Sequence, residues 1–281
     1  MSIARPSIAD KRQQFHELHA AGCFVIPNPW DIGSALYLQH LGFKALASTS
    51  SGLAWSLGRA DNAITRDMAL THLASLVEAT DIPVNADFEN GFAHDPQGVA
   101  QSVTLAVQAG VAGLSIEDST GDSAKPLYDQ DVAVARMRAA RKAIDAAGGD
   151  TLLVGRAECF LVGKPDIDFA IGRLKAYADA GADCLYAPGV RTREHIVALV
   201  KSLAPKSVNL LMGWAGAMTV ADLAALGVRR ISVGGALARC AWAGFASAST
   251  RLAAGRFDAL AQGAGAGDLN ALFRGLTDKT G

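Results

Sequence analysis

Two carboxylates, Asp87 and Glu89, close the run Pro83-Val84-Asn85-Ala86-Asp87-Phe88-Glu89-Asn90-Gly91-Phe92. Thirty residues after Asp87, the run Gly113-Leu114-Ser115-Ile116-Glu117-Asp118 ends in acid again. Both runs read as strands of a parallel sheet, which is covered on both faces and therefore apolar along its length. The C-terminal ends of such strands are where barrels and open α/β sheets build their sites. Hard oxygen donors gathered there suit Mg²⁺, which keeps several waters and takes few protein carboxylates; Mn²⁺ is the alternative ion. The competing reading makes each acid a cap for the following helix. That accounts for one acid more easily than for three at two strand ends, so a metal site of Asp87, Glu89 and Glu117 is expected.

Other strand ends add groups of complementary kinds. Ser48-Thr49-Ser50-Ser51-Gly52 follows the second apolar run, and a turn of this composition exposes backbone N–H groups that can hold a carboxylate or a developing oxyanion. Ser50, Ser51 and Gly52 are therefore the expected substrate-binding turn, although a serine-glycine turn alone is a weak signal. Arg156 ends the fifth run, with Glu158 two residues on. Its planar fork fits a carboxylate or a phosphonate, and its competing role is an internal salt bridge to Glu158 or Glu117. Lys125, in the segment after Glu117, is a mobile cation that could protonate an intermediate.

Eight short apolar runs recur: Cys23–Pro27, Lys44–Ser48, Pro83–Asp87, Gly113–Glu117, Leu152–Arg156, Asp183–Ala187, Val208–Met212 and Arg230–Val233. Helical periodicity fills the intervals at Arg66–Thr80, Pro96–Ala109, Asp131–Ala147, Ile167–Ala180 and Arg193–Leu203. Eight alternations predict an α/β fold of the (β/α)₈ TIM-barrel type over residues 1–281, as one domain. Ile8–Ala21 reads as a helix closing the barrel bottom, and Thr49–Asp61 and Ser119–Tyr128 as long loops at the site end. From about residue 235 the chain turns to helices outside the eightfold pattern. The first, Gly235–Gly255, is Ala-rich with Trp242 and Phe245, and is expected to protrude and pack on another copy.

Composition narrows the partners. Half of the 281 residues are hydrophobic, and 26 basic against 27 acidic side chains leave a net charge of −1. Such a balance offers no footprint for nucleic acid or an anionic membrane surface. No run approaches the ~18 apolar residues of a membrane span, and Met1–Asp10 lacks a signal-peptide layout. Cys23, Cys159, Cys184 and Cys240 form no Cys-x-x-Cys pair, as in a reduced cytoplasmic protein.

These residues, in this order, resemble the isocitrate lyase/phosphoenolpyruvate mutase family from about Cys23 to Ala246. The matching stretches are Asn28-Pro29-Trp30-Asp31, Ser51-Gly52-Leu53 leading through Ser56-Leu57-Gly58 to Asp61, Ala86 to Phe92, Gly113 to Asp118, and Gly155-Arg156-Ala157-Glu158. The resemblance implies a Mg²⁺-dependent barrel that stabilises pyruvate-like enolates of a small carboxylic acid. It also implies a homodimer or homotetramer with the late helix exchanged between barrels. By position, Asp87 would be the direct metal ligand, and Asp61, Glu89 and Glu117 would hold the metal's waters. Ser51 and Gly52 would bind the substrate oxyanion and Arg156 its carboxylate; Asp61, Arg156 and Lys125 complete the candidate catalytic set.

Three departures from the family pattern narrow the chemistry. Its lyases carry Lys-Arg-Cys-Gly-His after the fourth strand, where this chain reads Ser119-Thr120-Gly121-Asp122-Ser123-Ala124-Lys125-Pro126. A tyrosine before the second-strand serines is replaced by Ala45-Leu46-Ala47, and a glutamate after the sixth strand by Ala187-Pro188-Gly189. Cleavage of isocitrate needs a base for the hydroxyl and an acid for the carbanion, so decarboxylation of an oxaloacetate-like acid is the expected activity. The alternatives are phosphonopyruvate mutase or hydrolase chemistry, and a non-catalytic 2-oxoacid binder. A phosphate site at Gly213-Trp214-Ala215-Gly216 and Gly234-Gly235 leaves the carboxylates unexplained.

Overall fold

Alternation along each strand divides two cores, and this division builds the barrel. Ala86, Leu114, Ile116, Leu153, Leu185, Leu210 and Ile231 are buried in the layer between strands and helices. Their alternate neighbours point the other way, into the barrel, because successive side chains on a strand face opposite sides. The computed structural model describes residues 5–277, so residues 1–4 and 278–281 of the expected span lie outside it.

Eight parallel strands form: β1 Phe24–Ile26, β2 Leu46–Ala47, β3 Val84–Asp87, β4 Gly113–Glu117, β5 Leu152–Arg156, β6 Cys184–Tyr186, β7 Ser207–Leu211 and β8 Arg230–Ser232. They are hydrogen-bonded in the order β1-β8-β7-β6-β5-β4-β3-β2. Between β1 and β2 the closure is lighter: the Ala47 N–H donates to the Pro27 carbonyl at 3.0 Å. Asn28 reinforces it, donating to Ser48 O at 2.9 Å and accepting the N–H groups of Val233 and Gly234, each at 2.9 Å. One buried amide thus ties β1, β2 and β8 together in a nearly closed (β/α)₈ barrel.

The helices surround the strands: α1 Ile8–Ala20, α2 Ile32–His40, α3 Ser50–Ser56, α4 Arg66–Ala79, α5 Pro96–Gln108, α6 Gln130–Ala146, α7 Ile167–Asp179, α8 Arg193–Leu203 and α9 Val220–Ala225. Helix α1 plugs the bottom with Phe15, which is fully buried. A Cβ on Gly113 would stand 2.6 Å from the Phe15 ring, so that interior position accepts only glycine. The long loop expected at Thr49–Asp61 contains α3 instead. Thr49 caps it through the Gly52 N–H, and Leu53 and Ala54 are buried against Ile64 and Ala69. Ser119–Tyr128 is a tight ribbon, with Ser119 bridged to Leu127 and the Tyr128 N–H bonded to Asp118 O at 3.0 Å. Past the barrel, α10 (Ala236–Ala253) buries only Ala238, and Trp242 and Phe245 remain exposed. A 3₁₀ turn (Asp258–Gln262) and α11 (Ala266–Thr277) follow.

Behind the strand ends lies a buried ion pair. Arg173 of α7 donates to Asp118 at 2.6 Å and to Tyr128 O at 2.8 Å, and the Tyr177 hydroxyl donates to the same Asp118 oxygen at 2.6 Å. Removing one partner of such a pair strands the other charge, typically at a cost of about 3–5 kcal/mol. Arg173→Ala should therefore lower the urea midpoint sharply in equilibrium unfolding; an unchanged midpoint would show that the pair holds nothing.

Candidate active site

Asp87, the last residue of β3, is fixed from three directions. Its Oδ2 accepts the N–H and the hydroxyl of Ser50, each at 2.9 Å, while its own N–H donates to Ser48 Oγ at 2.9 Å. Glu89 follows with φ of 47°, a left-handed conformation that costs a non-glycine residue of order 1–3 kcal/mol. Two contacts hold it there: the Glu117 N–H donates to the Glu89 carbonyl at 3.0 Å, and buried Arg136 clamps the turn. The Arg136 guanidinium donates to the carbonyls of Asn90, Ala93 and His94 and lies over the Tyr128 ring, 4.1 Å from its centroid. None of the three strand-end acids is a helix cap, since Asp95 caps α5 and Asp129 stands at the start of α6. The reading that explains them as caps fails on this geometry.

Arg156, ending β5, sits among the acids. Its Nη1 lies 3.0 Å from Asp87 Oδ1 and 3.2 Å from Glu117 Oε2, and its Nε donates to Glu158. The Glu158 N–H in turn donates to Asp118 at 2.8 Å, which links this cluster to the Arg173 pair. Burial pushes Glu117 well above the usual carboxylate range, with Arg156 opposing and Glu158, Asp87 and Glu89 adding to the rise. Glu89 is pushed up to about 8, by burial first and then by Asp87 and Asp61. Asp61 is raised too, by burial and by Asp87.

The donors fit a divalent cation. They are hard oxygens crowded beyond what one arginine neutralises, and Glu89 Oε1 is buried with no hydrogen-bond partner. Among the described residues, no three His, Cys, Asp or Glu side chains stand close enough to share an ion directly. Hard carboxylate oxygens of this kind are the donors that Mg²⁺ takes, a few at a time with several waters kept.

A cavity of about 190 Å³ opens beside this cluster, lined by Ser50, Ser51, Asp61, Asp87 and Arg156 among others. Of the expected residues, Glu89 and Glu117 belong to the cluster through the contacts above. Ser50 faces the cavity, but both of its donors are committed to Asp87. Gly52 stands behind it: its N–H donates to Thr49 Oγ1 at 3.3 Å, and a Cβ there would approach Trp30 Cβ to 2.9 Å. Lys125 is not brought to the site. It is exposed on the ribbon and paired with Asp129 at 2.6 Å, since the tight turn aims it outward. Sequence reasoning missed Asn28, Asn85, Tyr186, Asn209, Arg230 and Ser232, all of which line the cavity. The signal was present as polar residues two apart, Asn85 with Asp87, Ser115 with Glu117 and Arg230 with Ser232, which must share the inner face of their strands.

A carboxyl whose folded pKa is raised stabilises the fold below its unfolded pKa and loses that contribution as pH climbs through the folded value. Metal-free protein should therefore lose thermal stability between the ordinary carboxylate range and about pH 8, the level set by Glu89. Melting temperatures across this window check it: Glu89→Gln should flatten the decline, and an unchanged slope would place its source elsewhere.

Similarity to known proteins agrees with this geometry. The family model described as phosphoenolpyruvate phosphomutase matches residues 15–253. A crystal structure of a candidate lyase/mutase from Burkholderia cenocepacia J2315 superposes with a TM-score of 0.90 at 45% identity, covering 95% of this chain and 96% of that one. An oxaloacetate decarboxylase of Chromohalobacter salexigens is 32% identical over 244 residues, 81% of this chain and 80% of the relative. The 2-methylisocitrate lyase of Escherichia coli is 33% identical over 161 residues, 54% of this chain and 53% of the relative. With the match running through all eight strands, this chain belongs to the phosphoenolpyruvate phosphomutase family within the isocitrate lyase/phosphoenolpyruvate mutase superfamily.

Proposed function

We propose that this protein is a Mg²⁺-dependent carbon–carbon lyase that decarboxylates a small oxaloacetate-type 2-oxo acid through an enolate. One observation carries this reading: the cavity beside the acid cluster is lined, among the described residues, by no histidine, cysteine or lysine. Decarboxylation asks least of such a site. The bond between C3 and the departing carboxyl carbon breaks, its electron pair becomes the enolate, CO₂ leaves, and C3 later takes a proton. Asp87 would be the direct metal ligand, with Asp61, Glu89 and Glu117 holding the metal's waters. Bound there, Mg²⁺ would supply charge neutralisation for the oxygens of the 2-oxo acid.

The chain's own groups supply the rest. Arg156 has spent Nε and Nη1 on Glu158, Asp87 and Glu117, and its Nη2 makes no bond to a described residue. That edge, with the Ser51 hydroxyl and N–H, is the donor set for an enolate oxygen. Tyr186 also lines the cavity, and burial holds its phenol protonated, pushed up to about 12. With Lys125 on the outer surface, Tyr186 or water is the proton source. The similarity to an oxaloacetate decarboxylase supports this choice.

We also propose a homodimer or homotetramer built on α10. Trp242 and Phe245 stack edge-on, 5.4 Å between centroids, on a helix that buries one residue of its own. A helix this apolar on its outer face needs a partner, and another copy of the chain fits the family resemblance. Sedimentation at micromolar concentration should give a dimer or tetramer; a clean 29.1 kDa monomer would refute it.

For the chemistry, pyruvate release from oxaloacetate should require Mg²⁺, and Asp87→Ala should abolish it without unfolding the protein. Isocitrate should be turned over barely, because two missing acid–base groups cost about 10²–10⁴-fold each. Metal affinity unchanged in Asp87→Ala by calorimetry, or isocitrate cleavage near ~10 s⁻¹, would overturn the assignment. Mg²⁺-dependent binding of 2-oxoacids with no turnover of any would instead identify a non-catalytic binder.

A further inference from the structure

Tyr186 ends β6 beside Arg156, its register partner at the end of β5. The Arg156 guanidinium carbon lies over the tyrosine ring, 5.4 Å from its centroid, and both residues line the cavity of the acid cluster. On its other side Tyr186 is in register with Asn209 of β7. From there a line of hydrogen bonds runs through the barrel interior. Arg230 Nε donates to Asn209 Oδ1 at 2.8 Å, and Asn209 Nδ2 donates to Ser232 Oγ at 3.0 Å. The Ser232 hydroxyl bonds to the Tyr186 phenol in the sense that favours its ionised form. The direction is forced: an arginine can only donate, so the Asn209 oxygen faces it and the amide NH₂ faces Ser232. Every donor in the line points toward Tyr186.

Arg230 is 3% exposed, and its other bond, from Nη1, goes to Asn85 Oδ1 at 3.2 Å. Among the described residues no carboxylate pairs with it. An arginine cannot shed its proton to escape burial, and a buried cation without a counter-charge is costly where Val, Ile or Leu is the usual filling. An anion that forms only during turnover, at the far end of the line, would answer that charge. Tyr186 is placed to become one. Burial first pushes its phenol up to about 12, with Arg156 and Ser232 pulling the other way. The group therefore holds its proton at rest and has two sources of stabilisation once the proton leaves. Other lining residues offer less: the asparagines and arginines release no proton, and Asp87 is occupied by Ser50 and Arg156.

We propose that Tyr186 is the catalytic acid that protonates C3 of the enolate, and that Ser232, Asn209 and Arg230 are positioning residues that stabilise the phenolate left behind. This assignment rests on the decarboxylation reading of the site and decides between the tyrosine and water as proton source. The C2–C3 electron pair of the enolate takes the phenol proton, the C2 carbonyl re-forms, and the O–H electrons stay on the Tyr186 oxygen. The phenolate then takes a proton from water that enters as product leaves, so one solvent proton is consumed for each CO₂ released. While the phenolate lasts, the Ser232 hydroxyl donates to it, and Arg230 polarises each bond of the line in its favour. Arg156 over the ring is a second cation. C3 is two bonds from the oxygen that the Arg156 edge receives in the proposed reaction, which brings it to the same ring.

The test follows exchange of the methyl protons of pyruvate in D₂O by NMR, with Mg²⁺ present, because forming the enolate from pyruvate is the same proton transfer run backwards. Wild type should exchange them. Tyr186→Phe, which keeps the ring, should slow exchange at saturating pyruvate by about 10²–10⁴-fold. Its affinity for oxalate, a planar mimic of the enolate, should be unchanged by calorimetry. Arg230→Gln should slow exchange about tenfold in the wild-type background, ~1.4 kcal/mol of coupling, and not at all in the Tyr186→Phe background, with the KM for pyruvate unchanged. A Tyr186→Phe protein that keeps the wild-type exchange rate overturns the proposal, and so does one that loses oxalate affinity in step with exchange. An equal loss from Arg230→Gln in both backgrounds overturns the role given to the line of donors. A protein that decarboxylates oxaloacetate yet exchanges no pyruvate proton refutes Tyr186 and leaves the decarboxylation standing. Tyr186-dependent exchange in a protein that releases CO₂ from no 2-oxo acid does the reverse.

Discussion

One guanidinium holds the mouth of this barrel together. Arg156 is shared by Asp87, Glu117 and Glu158, and without it three acids would face each other across partly buried space. A unit charge pair at 4 Å is worth about 4 kcal/mol at an effective dielectric of ~20. One cation neutralises only one unit of the charge on three anions, and Asp61 and Glu89 add more. That surplus adds to burial, the larger cause, in raising the pKa values of Glu117, Glu89 and Asp61. It is also the reason that the cluster suits a divalent ion: the fold concentrates negative charge and supplies only part of the neutralisation itself.

Holding such a cluster requires stiffness behind it, and the structure shows where that comes from. The left-handed turn at Glu89 is kept by Arg136, which reaches from α6 to three carbonyls of the loop after β3. Glu158 is kept by Asp118, itself locked by Arg173 and Tyr177. Both anchoring arginines lie on helices of the outer layer, so the helix–strand packing transmits directly to the acids. Ser48, just past β2, and Ser50, at the start of α3, do the same for Asp87. Most polar groups around the site are therefore positioning other polar groups, and few remain open to a ligand.

This economy explains what was legible beforehand. Buried parallel strands leave continuous apolar runs, so all eight were visible, with β7 beginning one residue earlier than expected. Acids at their ends stand out against that background, which made Asp87, Glu89 and Glu117 readable. The side chains that fill the barrel were not read, although their period of two was in plain view, because attention to strand ends passes over residues two positions earlier. Asn85 and Arg230 are the cost of that omission. Direction was the second gap. Spacing placed Lys125 in the right loop and Gly52 in the right turn. Only the closed ribbon sends Lys125 outward, and only the Thr49 cap turns the Gly52 N–H away from the cavity. Helix α3 was hidden for a related reason, since its serines and glycine read as a turn until Thr49 caps it and Leu53 finds a core.

The balance of groups in the cavity also constrains the order of events that it can support. Cleavage of a 2-hydroxy acid must begin by taking a proton from a hydroxyl, and a base for that step would have to be a free carboxylate or imidazole within reach. Here Asp87 is committed to Ser50 and Arg156, Glu117 and Glu158 to Arg156, and no imidazole lines the cavity among the described residues, which leaves Asp61 as the lining carboxylate for that role. Loss of CO₂ has no such first step. Its leaving fragment departs neutral and unprotonated, and its only requirement is a stabilised oxygen at the enolate. The Arg156 edge and the Ser51 N–H can meet that requirement, and Tyr186 can return the proton afterwards. The groups this chain commits to its own scaffold are thus compatible with the proposed decarboxylation, which asks for the fewest free ones.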